Sequence, residues 1–134
     1  MRVKIALIVA SSILLLSVSG CASSKFNSEK IHQKSAFITK LTRKVHVGIR
    51  KDISNSDELL VFVNEKFPDI IENFSDYSIL VKNDSQKAVV LMCNKEKTKA
   101  LVEDVVCTAK VDAPKLYEKN LSCDFQLDVL EVCK

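Results

Sequence analysis

Apolar residues recur along this chain with two different periods, and the change from one to the other divides it. Ile38, Leu41, Val45, Ile49 and Ile53 stand three and four residues apart, as on one face of an α-helix. Val45, Val47 and Ile49 also alternate, as in a strand. The length of the segment and its lysines favour a helix over about residues 29–51. Ser54-Asn55-Ser56-Asp57 then offers an N-cap with an acid three residues on. Leu59, Leu60, Val63 and Phe67 mark one face of a second helix over 56–67. Pro68 ends or restarts that helix, since proline is tolerated in a first turn. Ile70, Ile71 and Phe74 carry the apolar stripe on to about residue 73.

From Tyr77 the period falls to two. Tyr77 to Lys82 alternates, and Asn83-Asp84-Ser85 reads as a turn in which Asn and Asp stand where glycine is scarce. Lys87 to Cys93 contains Ala88-Val89-Val90-Leu91-Met92, apolar on both faces and so predicted as a central strand. Asn94 to Lys99 is a polar turn. A third strand is predicted from Ala100 to about Ala109, bent near Glu103-Asp104, followed by a loop or short helical turn from Asp112 through Tyr117. Finally Leu121, Cys123, Phe125, Leu127 and Val129 alternate with Ser122, Asp124, Gln126 and Asp128, which predicts a half-buried strand with an acidic outer face.

Helices followed by strands indicate an α+β domain over residues 28–134, two helices packed on a small, mainly antiparallel sheet. The helices should cover one sheet face through Ile38, Leu41, Val45, Leu60, Val63 and Phe67. An all-β sandwich stays open if residues 36–50 are extended.

The N-terminus has a different character. Arg2 and Lys4 precede an apolar run from Ile5 to Val18, interrupted by Ser11, Ser12 and Ser17. The run is short for a spanning helix, which needs roughly 20 apolar residues, and suits the core of a secretory signal. It closes on Val18-Ser19-Gly20-Cys21. This tetrapeptide resembles the lipobox of bacterial lipoproteins. The resemblance implies a signal peptide over 1–20, cleavage after Gly20 and a covalent lipid on Cys21. Residues 22–27 are small and polar and read as a tether, so that 21–27 is expected to be a lipidated tether, and no other cofactor is expected. It also implies that Ala22, standing where an Asp would signal inner-membrane retention, sends the protein to the outer membrane facing the periplasm. Two or three acyl chains make a stable anchor where one is marginal.

Charge is segregated rather than large. The formal charge of +3 becomes +1 without Arg2 and Lys4, which is too little for a nucleic-acid binder. Residues 21–52 hold eight Lys and Arg against Glu29 and Asp52, net +6. The rest holds ten Lys against fifteen acids, net −5. The basic part therefore lies beside Cys21, either as a solvated helix face or in contact with acidic head groups. Gly48 is the one glycine beyond residue 20, which argues against a glycine-rich phosphate loop.

With Cys21 assigned to lipid, Cys93, Cys107, Cys123 and Cys133 remain, an even number that reads as two disulfides in an exported domain. A four-thiolate zinc site would bring ligands in close pairs, whereas the intervals here are 14, 16 and 10. If 87–93, 100–107 and 122–130 form an antiparallel meander with 100–107 central, Cys93 and Cys107 lie at opposite ends of a strand. That excludes Cys93–Cys107 and predicts Cys107–Cys123 and Cys93–Cys133.

Catalytic constellations are scarce. Glu103-Asp104 is a carboxylate pair, but neighbours on a strand point to opposite faces, and the two read as turn or solvent charges. His32 and His46 read as surface residues. There is no C-x-x-C and no nucleophile elbow. The expectation is a non-catalytic accessory or assembly factor of an envelope machine, partnered by the membrane through its anchor and by another envelope protein. A periplasmic inhibitor or immunity protein, or a ligand- or surface-binding lipoprotein, are the alternatives.

Overall fold

The computed structural model describes residues 21–84, 86–107 and 114–133, the side chains of 21–27, 129 and 130 excepted. The signal segment 1–20, with Val18, Ser19 and Gly20, lies outside the described residues, as do 108–109 of the third predicted strand and 112–113 of the loop.

Helix α1 spans Cys21–Ile49. Ile38, Leu41 and Val45 are fully buried on it, and Ile49 nearly so, as their spacing predicts. Thr42 joins this face and donates its hydroxyl to the carbonyl of Ile38 at 2.7 Å, which satisfies it without a tertiary partner. The helix also takes in residues 22–27, which the sequence reading made a loose tether. No glycine or proline interrupts 21–28, so a helix nucleated by the packed turns runs on through them.

α1 ends in a Schellman motif. Asp52 donates its N–H to Ile49 at 2.9 Å and Ile53 to Gly48 at 3.3 Å, with Asp52 in the left-handed region at φ 65°. Helix α2, Ser56–Lys66, is capped by Asn55, whose side chain accepts from the N–H groups of Asp57 and Glu58. It crosses α1 closely: a Cβ on Gly48 would stand 2.8 Å from Leu59 Cδ2. Pro68 opens α3, Pro68–Glu72.

Four antiparallel strands follow, β1 Tyr77–Asp84, β2 Lys87–Asn94, β3 Ala100–Val106 and β4 Lys115–Leu116, lying in that order across the sheet. The first ladder continues to the pair Asp84–Lys87, so Asn83 belongs to a strand rather than to a turn. Its amide accepts from the Ser56 hydroxyl at 2.8 Å and donates to the Ser54 carbonyl at 2.6 Å, fixing the start of α2 against the sheet.

β2 is central and buried on both faces, as its unbroken apolar run requires. The helices pack on Ala88, Val90 and Met92, together with Leu101 and Val102 of β3. Two successive residues of one strand reach this face because the β2–β3 register shifts between Met92 and Cys93, leaving Leu101 as the extra residue of a bulge.

The opposite face is covered by the C-terminal segment. Leu121, Cys123, Phe125 and Leu127 are half-buried and alternate with exposed Ser122, Asp124, Gln126 and Asp128, yet they form no strand. The segment lies over the sheet, on Leu91, Cys93 and Ala100 at one end and on Val89 and Val105 at the other. A short helix, α4 (Val129–Val132), ends it.

Its direction overturns the predicted cysteine pairing. The structure joins Cys93 to Cys123 and Cys107 to Cys133, with Cα atoms 5.8 and 5.4 Å apart. It does not form Cys107–Cys123 or Cys93–Cys133. β4, read from sequence as loop or helical turn, runs antiparallel to β3 and carries the chain back to the Ala100 end, where Ala100 donates to Leu121 at 2.9 Å. The chain then reverses again and travels with β3 rather than against it. Cys123 therefore meets Cys93 at the start of β3, and Cys133 meets Cys107 at its end.

Candidate functional site

Cys21, the residue that resembles a lipidation site, stands at the first described position of α1. The four other cysteines are consumed by disulfides. His32 is exposed and His46 half-buried. Among the described residues no three His, Cys, Asp or Glu side chains converge as metal ligands would, and no helix is long and apolar enough to cross a membrane.

Glu103 and Asp104 are neither turn nor solvent charges. Both sit within β3, 0% and 3% exposed. The alternation of a strand separates them: Glu103 pairs with Leu91 on the C-terminal side, and Asp104 with Val90 on the helix side. They cannot converge on one substrate.

The Glu103 carboxylate holds down the C-terminal segment instead. Oε2 accepts from the Tyr117 hydroxyl at 2.5 Å and from the Gln126 N–H at 3.1 Å, and Oε1 accepts from the Leu127 N–H at 3.1 Å. A chain lying across a sheet has no ladder to take up its N–H groups, and buried N–H groups need acceptors. One ionised side chain supplies them through charge-assisted bonds. Burial first, then the hydrogen bond and the negative charge of Glu103, push the Tyr117 phenol well above its ordinary value. Sequence reasoning missed this cluster because its members are 14, 23 and 24 residues apart.

A second feature lies on the helix side. Leu60 and Val61 of α2, Ile71 of α3, Phe74, and Tyr77 and Ile79 of β1 line a groove of about 420 Å³. Val61 is 56% exposed, and among the described residues it is the one large apolar side chain so open to solvent. The groove runs beside β1, an edge strand of the sheet. Burial, with the charge of Asp76 second, raises the Tyr77 phenol at its rim. Mainly apolar walls, with Asn64 and Ser75 among them, beside a strand edge that no described residue pairs suit a peptide segment better than a small charged molecule.

No protein-family model, curated protein or solved structure matches this chain.

Proposed function

We propose that the chain is a small envelope lipoprotein, anchored through lipid on Cys21 and most simply placed at the outer membrane facing the periplasm. It acts without catalysis, as an accessory or assembly factor that holds a second envelope protein. The observation that carries this reading is the mainly apolar groove beside the edge of β1 that no described residue pairs, with Val61 exposed at its wall. Its occupant is an extended apolar segment of the partner, whose backbone adds to β1 and whose side chains enter the groove. The carboxylates support a non-catalytic role, since Glu103 is taken up by the fold and Asp104 faces the other way.

One experiment in living cells tests both halves. A photo-crosslinking residue at Val61 should give a single discrete adduct with an envelope protein, and the same probe at Lys97, in the turn between β2 and β3, should give none. Labelled palmitate should enter the wild-type chain and not Cys21→Ala. Equal adducts at both positions, or none at Val61, would sink the groove. Labelling that persists without Cys21 would sink the anchor.

A further inference from the structure

The segment that walls the groove is also the acidic part of the chain. Residues 53–76, which form α2, α3 and the link to β1, hold Asp57, Glu58, Glu65, Asp69, Glu72 and Asp76 against Lys66, net −5. Residues 77–134 hold nine acids and nine lysines, net zero. All six acids of 53–76 are exposed. Among the described residues none of their carboxylates is taken up by an ion pair. The basic helix α1 does not neutralise the groove from within. It meets α2 at Leu59 and Phe62, against Gly48, and among the described residues none of its side chains lines the groove. Its Lys44 and Lys51 lie over the rings of Phe67 and Phe62 instead.

Two of the acids frame the exposed apolar side chain. Asp57 and Glu65 stand four residues before and four after Val61, on the side of α2 that brings Leu60, Val61 and Asn64 to the groove. Asp76 lies at the rim, where its charge is felt, after burial, by the Tyr77 phenol. One cation reaches the same end, Lys95, which donates to the Ser75 carbonyl at 3.4 Å. Lys82 of β1 is on the other sheet face, one alternation out of step with Ile79 and Val81. The Ser56–Asn83 bond sets the start of α2 beside the end of β1, so the helix runs back along the strand. A strand added to β1 would therefore pass under the lip that carries Asp57, Val61 and Glu65.

Spacing then sets the pattern of the occupant. Asp57 and Glu65 are eight helical residues apart, about 12 Å. In an extended chain positions i, i+2 and i+4 share one face, and i to i+4 spans about 14 Å. We infer that the segment held by this groove is basic, with Lys or Arg at two positions four apart and an apolar residue midway, the apolar side chain meeting Val61 and the cations meeting Asp57 and Glu65. The inference rests on the groove reading for its location and adds the chemistry of the partner. A second copy joined through β1, about a two-fold axis normal to the sheet, would bring two acidic lips together and is disfavoured by like charge.

The test uses the full chain in a neutral maltoside detergent and two peptides, capped at both ends and carrying an uncharged fluorophore. One is Thr-Lys-Thr-Leu-Thr-Lys-Thr, and the other has Glu in place of both Lys. Fluorescence anisotropy should show the lysine peptide binding at least about tenfold more tightly at low salt, because two contacts change from attraction to repulsion. The preference should shrink as salt is added. Asp57→Asn with Glu65→Gln should cut it to about threefold or less. Glu96→Gln with Glu118→Gln, which removes as much charge elsewhere, should leave it nearly unchanged. Far-ultraviolet circular dichroism checks that both variants are folded. Equal binding of the two peptides, or a preference for the glutamate peptide, overturns the inference and gives the groove to an uncharged or an acidic segment. Equal losses in the two double variants overturn it too, by showing net charge without a site. So does the absence of binding by either peptide at about 1 mM, and sedimentation of the chain as a dimer would then give the groove to a second copy. The adduct at Val61 in cells reports occupancy of the groove whatever the charge of its occupant, so the two readings fail separately.

Discussion

The two faces of the sheet are covered by different means. Against one face lie α1 and α2, whose backbone hydrogen bonds are internal and whose side chains interlock with Val90, Met92 and Val102. Against the other lies a single extended segment whose backbone has no ladder. The helical cover brings its own hydrogen bonding and needs only apolar burial. The extended cover brings half-buried apolar side chains but no hydrogen bonding of its own, and it is fastened at three points: Cys93–Cys123, the Glu103 carboxylate and Cys107–Cys133. Where secondary structure does not satisfy the chain, covalent bonds and a buried charge take its place.

Removing the covalent fastenings should show the largest effect. Loops of 30 and 26 residues correspond to about 3.5 kcal/mol each by loop-closure entropy. Replacing all four cysteines by alanine should therefore cost roughly 5–7 kcal/mol in urea unfolding. Hydrogen exchange should rise first in residues 121–133 and last in β2. A loss under about 2 kcal/mol would mean that packing alone holds the segment.

Glu103→Gln probes the middle fastening. The amide keeps one oxygen and sets an NH2 in place of the other, against either the Leu127 N–H or the Gln126 N–H and the Tyr117 hydroxyl, so about 2–3 kcal/mol of stability should go, with little change in helix content. A urea midpoint shift equivalent to less than about 0.5 kcal/mol would place the carboxylate outside the stabilising set.

Tyr117→Phe gives the smallest change at neutral pH, about 1 kcal/mol for one hydrogen bond, and the clearest one in alkali. Folding raises the Tyr117 phenol above its ordinary value of 10.0. Above that pH the folded protein retains a proton that the unfolded chain has released, so stability is complete below about pH 10 and falls as pH rises toward the folded value. The variant should lose part of that decline, the share due to Tyr77 remaining. Identical alkaline profiles for the two proteins would detach Tyr117 from Glu103.

The helix side was legible because periodicity reports it directly. Ile38, Leu41, Val45, Leu60, Val63 and Phe67 all reach the core that their spacing assigns to them. The C-terminal side was legible only in part. Alternation from Leu121 to Asp128 correctly gives alternate burial, but any extended chain on an apolar surface alternates, whether or not it joins a ladder. Period two carries no direction either, and direction decides which cysteines meet. The reversal that set it rests on β4, two residues long and too short for any pattern. Glu103 shows a further limit: a charge in an apolar strand is a solvent charge or a fastening depending on partners far along the chain.

The bonds interleave: Cys107 falls inside the span closed by Cys93–Cys123, and Cys123 inside that closed by Cys107–Cys133. This has a kinetic consequence for a chain that is oxidised as it emerges from its N-terminal end. The first two of these thiols to appear are Cys93 and Cys107, which are not partners in the fold. Oxidation in order of appearance joins them in a bond that holds the far end of β3 away from Cys133. Native pairing then waits for Cys123 and Cys133 to arrive and for a thiolate to attack the early bond through a mixed disulfide. If the chain is exported and its thiols are oxidised in that order, its yield should follow the isomerase activity of the compartment more closely than its oxidising power.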